Sequence, residues 1–486
     1  MTLPAIVLAA VVAAATSVHF PVSTNDPQAQ DAIDRGLFLY YAYNEGAAAR
    51  AFGEAASREH GLAAAFWGSA LAAGPNLNTP MTAAQFDVGQ LAIRHAVALS
   101  AGASERERKF IAIMAGRYAG TFNDWNMDDD AYRQAMTAFA QSSHDENAQL
   151  LAAEALLEHG GLSWENGRLA SDESRTALQL DAAVLRDDPS NVMANHLCIH
   201  VYDLAPDRLP ALPCARRLDA ATFPPQAEHL AHMPAHYWVE TGEYRVALAS
   251  SERAYALLLQ LEAANDDAEH VLRYQKHDVA VGYSAAMMLG NYATAKLWSA
   301  RMDIAYDTNF APLTALRFGR CSEAYAAPDS AYGNPAVRGL AALHLGRTKE
   351  AAAIAAPLIA KPPVNGYLPQ LFLAREAEAN GRFAEARTWI ADAARNQQAD
   401  FSGELIPFLP AQEALGFLEL RRGDSPEAIV AFTQTLILYP NDPRGLYGLA
   451  SALAADGQGA AAAAMRVRFM QQWEGADTHI DGADLP

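Results

Sequence analysis

The chain has 486 residues, of which 51% are hydrophobic and 19% charged. That is enough apolar mass for a sizeable core, and it argues against disorder over most of the length. The formal net charge of −20 repels a phosphate backbone, and no Lys/Arg-rich run offers a patch for anionic lipid, so nucleic acid and charged bilayers are poor partners. Alanine dominates many segments while Val/Ile/Thr-rich alternating runs are scarce, which favours helix over strand.

The N-terminal stretch Leu3–Ala15 is apolar but too short to span a bilayer. With its small residues around Ala13–Ser17 it resembles a secretory signal, although Met1–Thr2 carries no Lys or Arg. Residues 1–18 are therefore expected to be a signal peptide on a periplasmic or secreted protein. The other reading is an apolar tail on a cytoplasmic one. A recurring unit follows: Gly, a polar residue, often an aromatic, then Ala a few residues on. It occurs at Gly242-Glu243-Tyr244 with Ala247, Gly290-Asn291-Tyr292 with Ala295, and Gly346-Arg347 with Ala351. It returns at Gly381-Arg382-Phe383 with Ala386, Gly423-Asp424 with Ala428, and Gly457 with Ala461. Each Gly marks a tight turn between amphipathic helices, where a left-handed backbone is easy only for Gly.

Gly416, Ala428, Phe432 and Pro440, and near the N-terminus Gly36, Ala48, Phe52 and Ala55, fall at the signature spacing of the tetratricopeptide repeat, which these units resemble. The resemblance implies an all-α fold, an α-solenoid of irregular helix-turn-helix repeats. Longer gaps at 242–290 and 290–346 predict lengthened helices or insertions. Pro328 and Pro335 in a polar stretch suggest a boundary at 326–336, between an N-terminal block (19–325) and a more regular array (336–472). The acidic tail 473–486 is expected to be loose. Three cysteines occur, Cys198, Cys214 and Cys321. Cys198 and Cys214 fall on consecutive helices and are either a disulfide, if the chain is exported, or two buried thiols.

Five of the fourteen histidines lie between positions 196 and 236. One group is Asn195-His196 with His200 and Asp203; the other is His229, His232 and His236. On a helix, offsets of four and seven, or three and seven, share one face. His196 and His229 are 33 residues apart, as are Asp203 and His236, which is close to one repeat. In the repeat family the second, fifth, ninth and twelfth positions of each first helix line the concave groove. Counting back from Gly242 puts His229, His232 and His236 at two, five and nine. Counting from Ala211 puts His196, His200 and Asp203 at five, nine and twelve. Gly290 puts His277 at two. Imidazole is a common ligand for zinc, copper and iron, and a carboxylate either ligates or orients a histidine. These seven residues are therefore the candidate ligands.

The stretches Phe66-Trp67-Gly68, Gly74-Pro75-Asn76-Leu77-Asn78, Ala194-Asn195-His196 with Ile199-His200, and His229–His236 around Met233-Pro234 resemble a group of bacterial tetratricopeptide proteins. The resemblance implies fold and motif positions, not a reaction. The chain departs from that group at Ala280, where members carry a second His after the one matching His277, and at Asp203, where they carry Glu. Asn195, Tyr40, Tyr41 and Asn76 are further groove candidates, with Tyr43 beside them, although Asn76 and Asn78 more readily cap the next helix. Trp67, Met287 and Met288 read as core.

Two functions follow. One is an exported metal protein, either an enzyme whose open coordination position supports oxidoreductase or hydrolase chemistry or a metal carrier or sensor without catalysis. The other is a scaffold that holds a peptide, a small molecule or a partner protein in its concave groove without catalysis.

Overall fold

The computed structural model describes residues 18–400 and 409–480, without the side chains of 398–400. Among the described residues are 24 α-helices and one short antiparallel hairpin, β1 (Trp164–Glu165) with β2 (Arg168–Leu169). The chain is an all-α helical-repeat protein, as its composition and turn glycines require. The proposed signal segment, apart from Val18, lies outside the described residues. No described helix is long and apolar enough to cross a membrane.

The chain divides into two compact units: Met1–Tyr237 with Arg253–Val271, and Trp238–Glu252 with Leu272–Pro486. The first contains α1 (Pro27–Tyr41), α2 (Glu45–Arg58), α3 (Ala63–Ala72), α4 (Ala83–Leu99), α5 (Glu105–Arg117), α6 (Trp125–Ser143) and α7 (Glu146–Gly160). It continues with α8 (Asp172–Asp187), α9 (Val192–Asp203), α10 (Leu212–Ala220) and most of α11 (Glu228–Glu240). Local signals start these helices. Asp26 accepts from the main-chain N of Gln28 ahead of Pro27, and Thr82 and Gln85 form a capping box on α4. Asn191 accepts from Ala194 N at 3.0 Å to start α9.

Phe52 shows why the repeat needs glycine at set intervals. Its ring lies so close to Gly36 and Gly68 that an added Cβ would come within 2.6 and 2.3 Å of it. Phe432 is held in the same way between Gly416 and Gly448. The aromatic ring of one helix is thus seated on backbone of the helices before and after it.

Two helices, α12 (Tyr244–Ala264) and α13 (Ala268–Met288), have 21 residues each and account for the long gap between Gly242 and Gly290. The second unit continues with α14 (Tyr292–Tyr306), α15 (Ala311–Arg317), α16 (Cys321–Tyr325), α17 (Ala336–His344), α18 (Thr348–Ile359), α19 (Tyr367–Ala379) and α20 (Phe383–Asp400). It ends with α21 (Ala411–Arg422), α22 (Ser425–Leu438), α23 (Pro443–Ala455) and α24 (Gly459–Gln472). All six predicted turn glycines (242, 290, 346, 381, 423 and 457) have φ between +67° and +79°. The stretch 326–336 is the loop leading into α17, inside this unit.

The tail departs from expectation. The stretch 473–480 is anchored at three residues. Trp473 lies against Gly290, Asp477 accepts from Tyr292 N at 2.7 Å and Ala293 N at 3.2 Å, and Ile480 is buried in the core with Phe432, Leu446 and Phe469. An acidic residue is kept here because it satisfies free N–H groups in the first turn of α14. Residues 481–486 lie outside the described ones.

Candidate metal centre

Helix α9 begins at Val192 and α11 at Glu228. His196, His200 and Asp203 are therefore the fifth, ninth and twelfth residues of one helix. His229, His232 and His236 are the second, fifth and ninth of the other. The positions counted from Gly242 and from Ala211 hold for α11 and α9 respectively. The one counted from Gly290 does not hold for His277: α13 starts eight residues earlier than a short helix would, at Ala268, so His277 is its tenth residue. His277 belongs to the second unit, half-buried, with its ring 6.3 Å from Tyr274.

In the first unit the imidazoles meet. His196, His200 and His229 each offer a ligand nitrogen within 4.8 Å of the others. The Nε2 atoms of His196 and His200 are 3.0 Å apart, and those of His232 and His236 are 2.9 Å apart. Asp203 Oδ1 stands 3.8 Å from His236 Nδ1. The rings of His229 and His232 lie 5.9 Å apart, so the two pairs form one continuous strip. His196, His229 and His232 are fully buried.

His196 shows its tautomer. Its Nδ1 donates to the main-chain oxygen of Tyr41 at 2.9 Å, which turns the Nε2 lone pair toward His200. Burial, opposed only by that bond, pushes its pKa down to about 4, so the ring is neutral at ordinary pH. A neutral imidazole with one nitrogen bonded to a carbonyl and the other free to coordinate is how metal-ligating histidines are usually held. Two nitrogens on one ion at about 2.0–2.1 Å stand roughly 2.9 Å apart at a right angle and roughly 3.3 Å apart at a tetrahedral angle. The observed spacings suit coordination at near right angles, and equally an N–H···N bond. The residues present fit a metal by type, burial and orientation.

Tyr43 is the residue whose importance the sequence understates. It occupies a left-handed conformation, φ +55°, rare for an aromatic. The turn that holds it is clamped: Asn44 caps α2 through Ala47 N and donates to Gln226 O at 3.0 Å, just before α11. Its buried ring lies 4.4 Å from that of His196, 5.6 Å from that of His229 and 6.0 Å from that of His200. Tyr43 thus covers all three imidazoles.

Other candidates are placed elsewhere. Tyr40 and Tyr41 are buried and donate to Glu154 at 2.7 Å and to Asn147 at 3.2 Å. Asn195 is engaged structurally, donating to Pro189 O and Asn191 O and accepting from Arg217 Nη1. Asn76 does not cap the next helix, which Thr82 does; its carboxamide accepts from Asn78 N and donates to Glu45. That shapes the loop so that Asn78 Nδ2 lies 3.3 Å from His229 Nε2. No spacing signals that contact, since 151 residues separate the two. Beneath the site, Glu228 and His270 pair at 2.7 Å, both buried. Cys198 on α9 and Cys214 on α10 are joined as a disulfide, with Cα atoms 6.4 Å apart.

No protein-family model matches the chain, and no curated protein matches its sequence. Among solved structures it is similar to the Cut9–Hcn1 hetero-tetramer of the APC/C, at 11% identity over 81% of this chain and 77% of that one, TM-score 0.35. It is similar to the human IFIT1 dimer with PPP-AAAA, at 11% identity over 90% of each chain, TM-score 0.32. It is also similar to yeast Tom70, at 12% identity over 90% and 97%, TM-score 0.29. At such low superposition these likenesses carry no argument about what the chain does.

Proposed function

We propose that the protein binds a transition-metal ion, of the copper, zinc or iron class, through His196, His200 and His229. The helical repeats then present that ion to a small molecule or peptide in their groove. The observation that carries this reading is the convergence of three buried imidazole nitrogens within 4.8 Å, one of them with its tautomer set by Tyr41. Burying such a group of polar rings is costly unless something satisfies them. His232, His236 and Asp203 continue the strip. A bound ion with an open position would polarise an oxygen ligand or acidify a water. The Cys198–Cys214 bridge supports an oxidising compartment, periplasmic or extracellular, because such bonds persist there.

Metal analysis of the purified chain, expressed in supplemented medium, tests the reading. About one equivalent or more is expected, and His200→Ala should lower retained metal at least about tenfold. His60→Ala, on an exposed residue, should change nothing. Less than about a tenth of an equivalent in the wild type rejects the metal and leaves the scaffold reading.

A further inference from the structure

The second unit has a cleft of about 490 Å³ that the histidine strip does not use. Its walls include Arg320, Glu323 and His344 from the α15–α16 turn, α16 and the end of α17, together with Arg444 from α23. The anchored tail, with Asp477 and His479, supplies another wall.

Arg444 is the unusual member. It is only 4% exposed, and its Nη1 has no hydrogen-bond partner. Behind it lie Arg317, Glu413 and Asp442, all buried. The carboxylates there are turned to the other guanidinium: Arg317 reaches Glu413 at 3.3 Å and Asp442 at 3.7 Å. Burial and the neighbouring Glu413 push the Asp442 carboxyl up to about 8. That weakens Asp442 as a counter-ion for the two guanidiniums. Burial and the like charge of Arg317 push Arg444 down to about 9, against the opposing pull of Glu413 and Asp442, so it remains charged.

The carboxylates on the cleft itself are already engaged. Asp477 accepts from two main-chain N–H groups of α14. Glu323 accepts from the Tyr292 hydroxyl at 2.8 Å and stands 3.9 Å from Arg320. In the buried group behind the cleft, Arg444 Nη1 and Asp442 Oδ2 both lack a hydrogen-bond partner, and of the two residues Arg444 is the one that lines the cleft. An unpaired buried guanidinium N–H is costly, and a planar guanidinium is best satisfied by the two oxygens of a carboxylate or phosphate. The volume suits a small molecule.

We propose that this cleft is a second ligand site, taking a small oxyanion, the carboxylate or phosphate of a small molecule, against Arg444 and Arg320. It is independent of the metal reading, since every residue invoked lies in the other unit.

Titration calorimetry of the whole chain with inorganic phosphate and, separately, with succinate, at fixed ionic strength, tests it. At least one should bind saturably. Saturation by phosphate alone assigns a phosphoryl ligand, by succinate alone a carboxylate, and by both a general oxyanion site. Arg444→Gln should weaken binding at least about tenfold. Because Arg444 belongs to a buried ionic group, Arg320→Gln is the second variant. Its side chain is 47% exposed, so it can be exchanged without disturbing the core, and it should weaken binding at least about threefold. Absence of saturable heat with both anions overturns the proposal, as does an affinity unchanged in Arg320→Gln.

Discussion

His196 donates through Nδ1 to the main-chain oxygen of Tyr41, 2.9 Å away and 155 residues earlier in the chain. That bond chooses which ring nitrogen faces the site. Nitrogen-15 NMR of the metal-free protein should show His196 as the Nδ1–H tautomer at neutral pH; an Nε2–H tautomer would refute the orientation. His196→Ala should lower metal retention at least tenfold, on the order of the 10–100-fold found when metal sites lose supporting contacts.

A buried acidic pair next to this site sets a dependence on pH. Burial, and then mutual repulsion, raise Glu154 to about 8; burial raises Glu158 to about 7. Unfolded carboxyls lose their protons near 4.5, whereas these keep theirs in the folded chain. The folded state binds more protons between those values, so stability falls as pH rises from about 5 to about 8. Glu154→Gln keeps an acceptor for the Tyr40 hydroxyl and removes the charge. It should melt higher than wild type at pH 8, by the equivalent of about 1–3 kcal/mol, and differ little at pH 5. An equal difference at both pH values would show that Glu154 does not titrate in this window.

Phe52 leaves no room for a side chain at residue 68, where an added Cβ would come within 2.3 Å of the ring. Gly68→Ala should cost about 1–3 kcal/mol despite the better helix propensity of Ala, because overpacking dominates in a closed core. Urea unfolding measures it. Adding Phe52→Leu should restore part of the loss, and no rescue would place the strain elsewhere.

The Cys198–Cys214 bridge closes a loop of 16 residues between α9 and α10. Loss of such a cross-link costs about 3 kcal/mol. The double Ser variant, or wild type in reductant, should lose stability by roughly that amount in denaturant titration. An unchanged midpoint in reductant would mean the bond is not present in solution.

Much of the site could be read in the sequence because turn glycines fix helix starts. Once Gly242 is a left-handed turn, the register of α11 follows, and with it the shared face of His229, His232 and His236. His277 is the tenth and not the second residue of its helix because α13 is extended at its start, which nothing near Gly290 reveals. Tyr40, Tyr41 and Asn195 sit beside the motifs, yet each is engaged by a polar group that only the tertiary fold supplies. Tyr43 and Asn78 reach the imidazoles through loops, where spacing carries no periodicity. The anchored tail was equally hidden, since Asp477 reads as a solvated acid until α14 stands beside it.

The Tyr41–His196 contact has a further consequence for how this array comes apart. In a linear array each helix pair touches its neighbours, and unravelling begins freely at an end. Here the first helix pair is latched to α9, eight elements later, by His196 to Tyr41, and to the segment just before α11 by Asn44 to Gln226. The amino-terminal repeat should therefore not fray alone. Amide exchange in α1 is expected to be as slow as in α9, and releasing the latch should let the opening repeats peel away first.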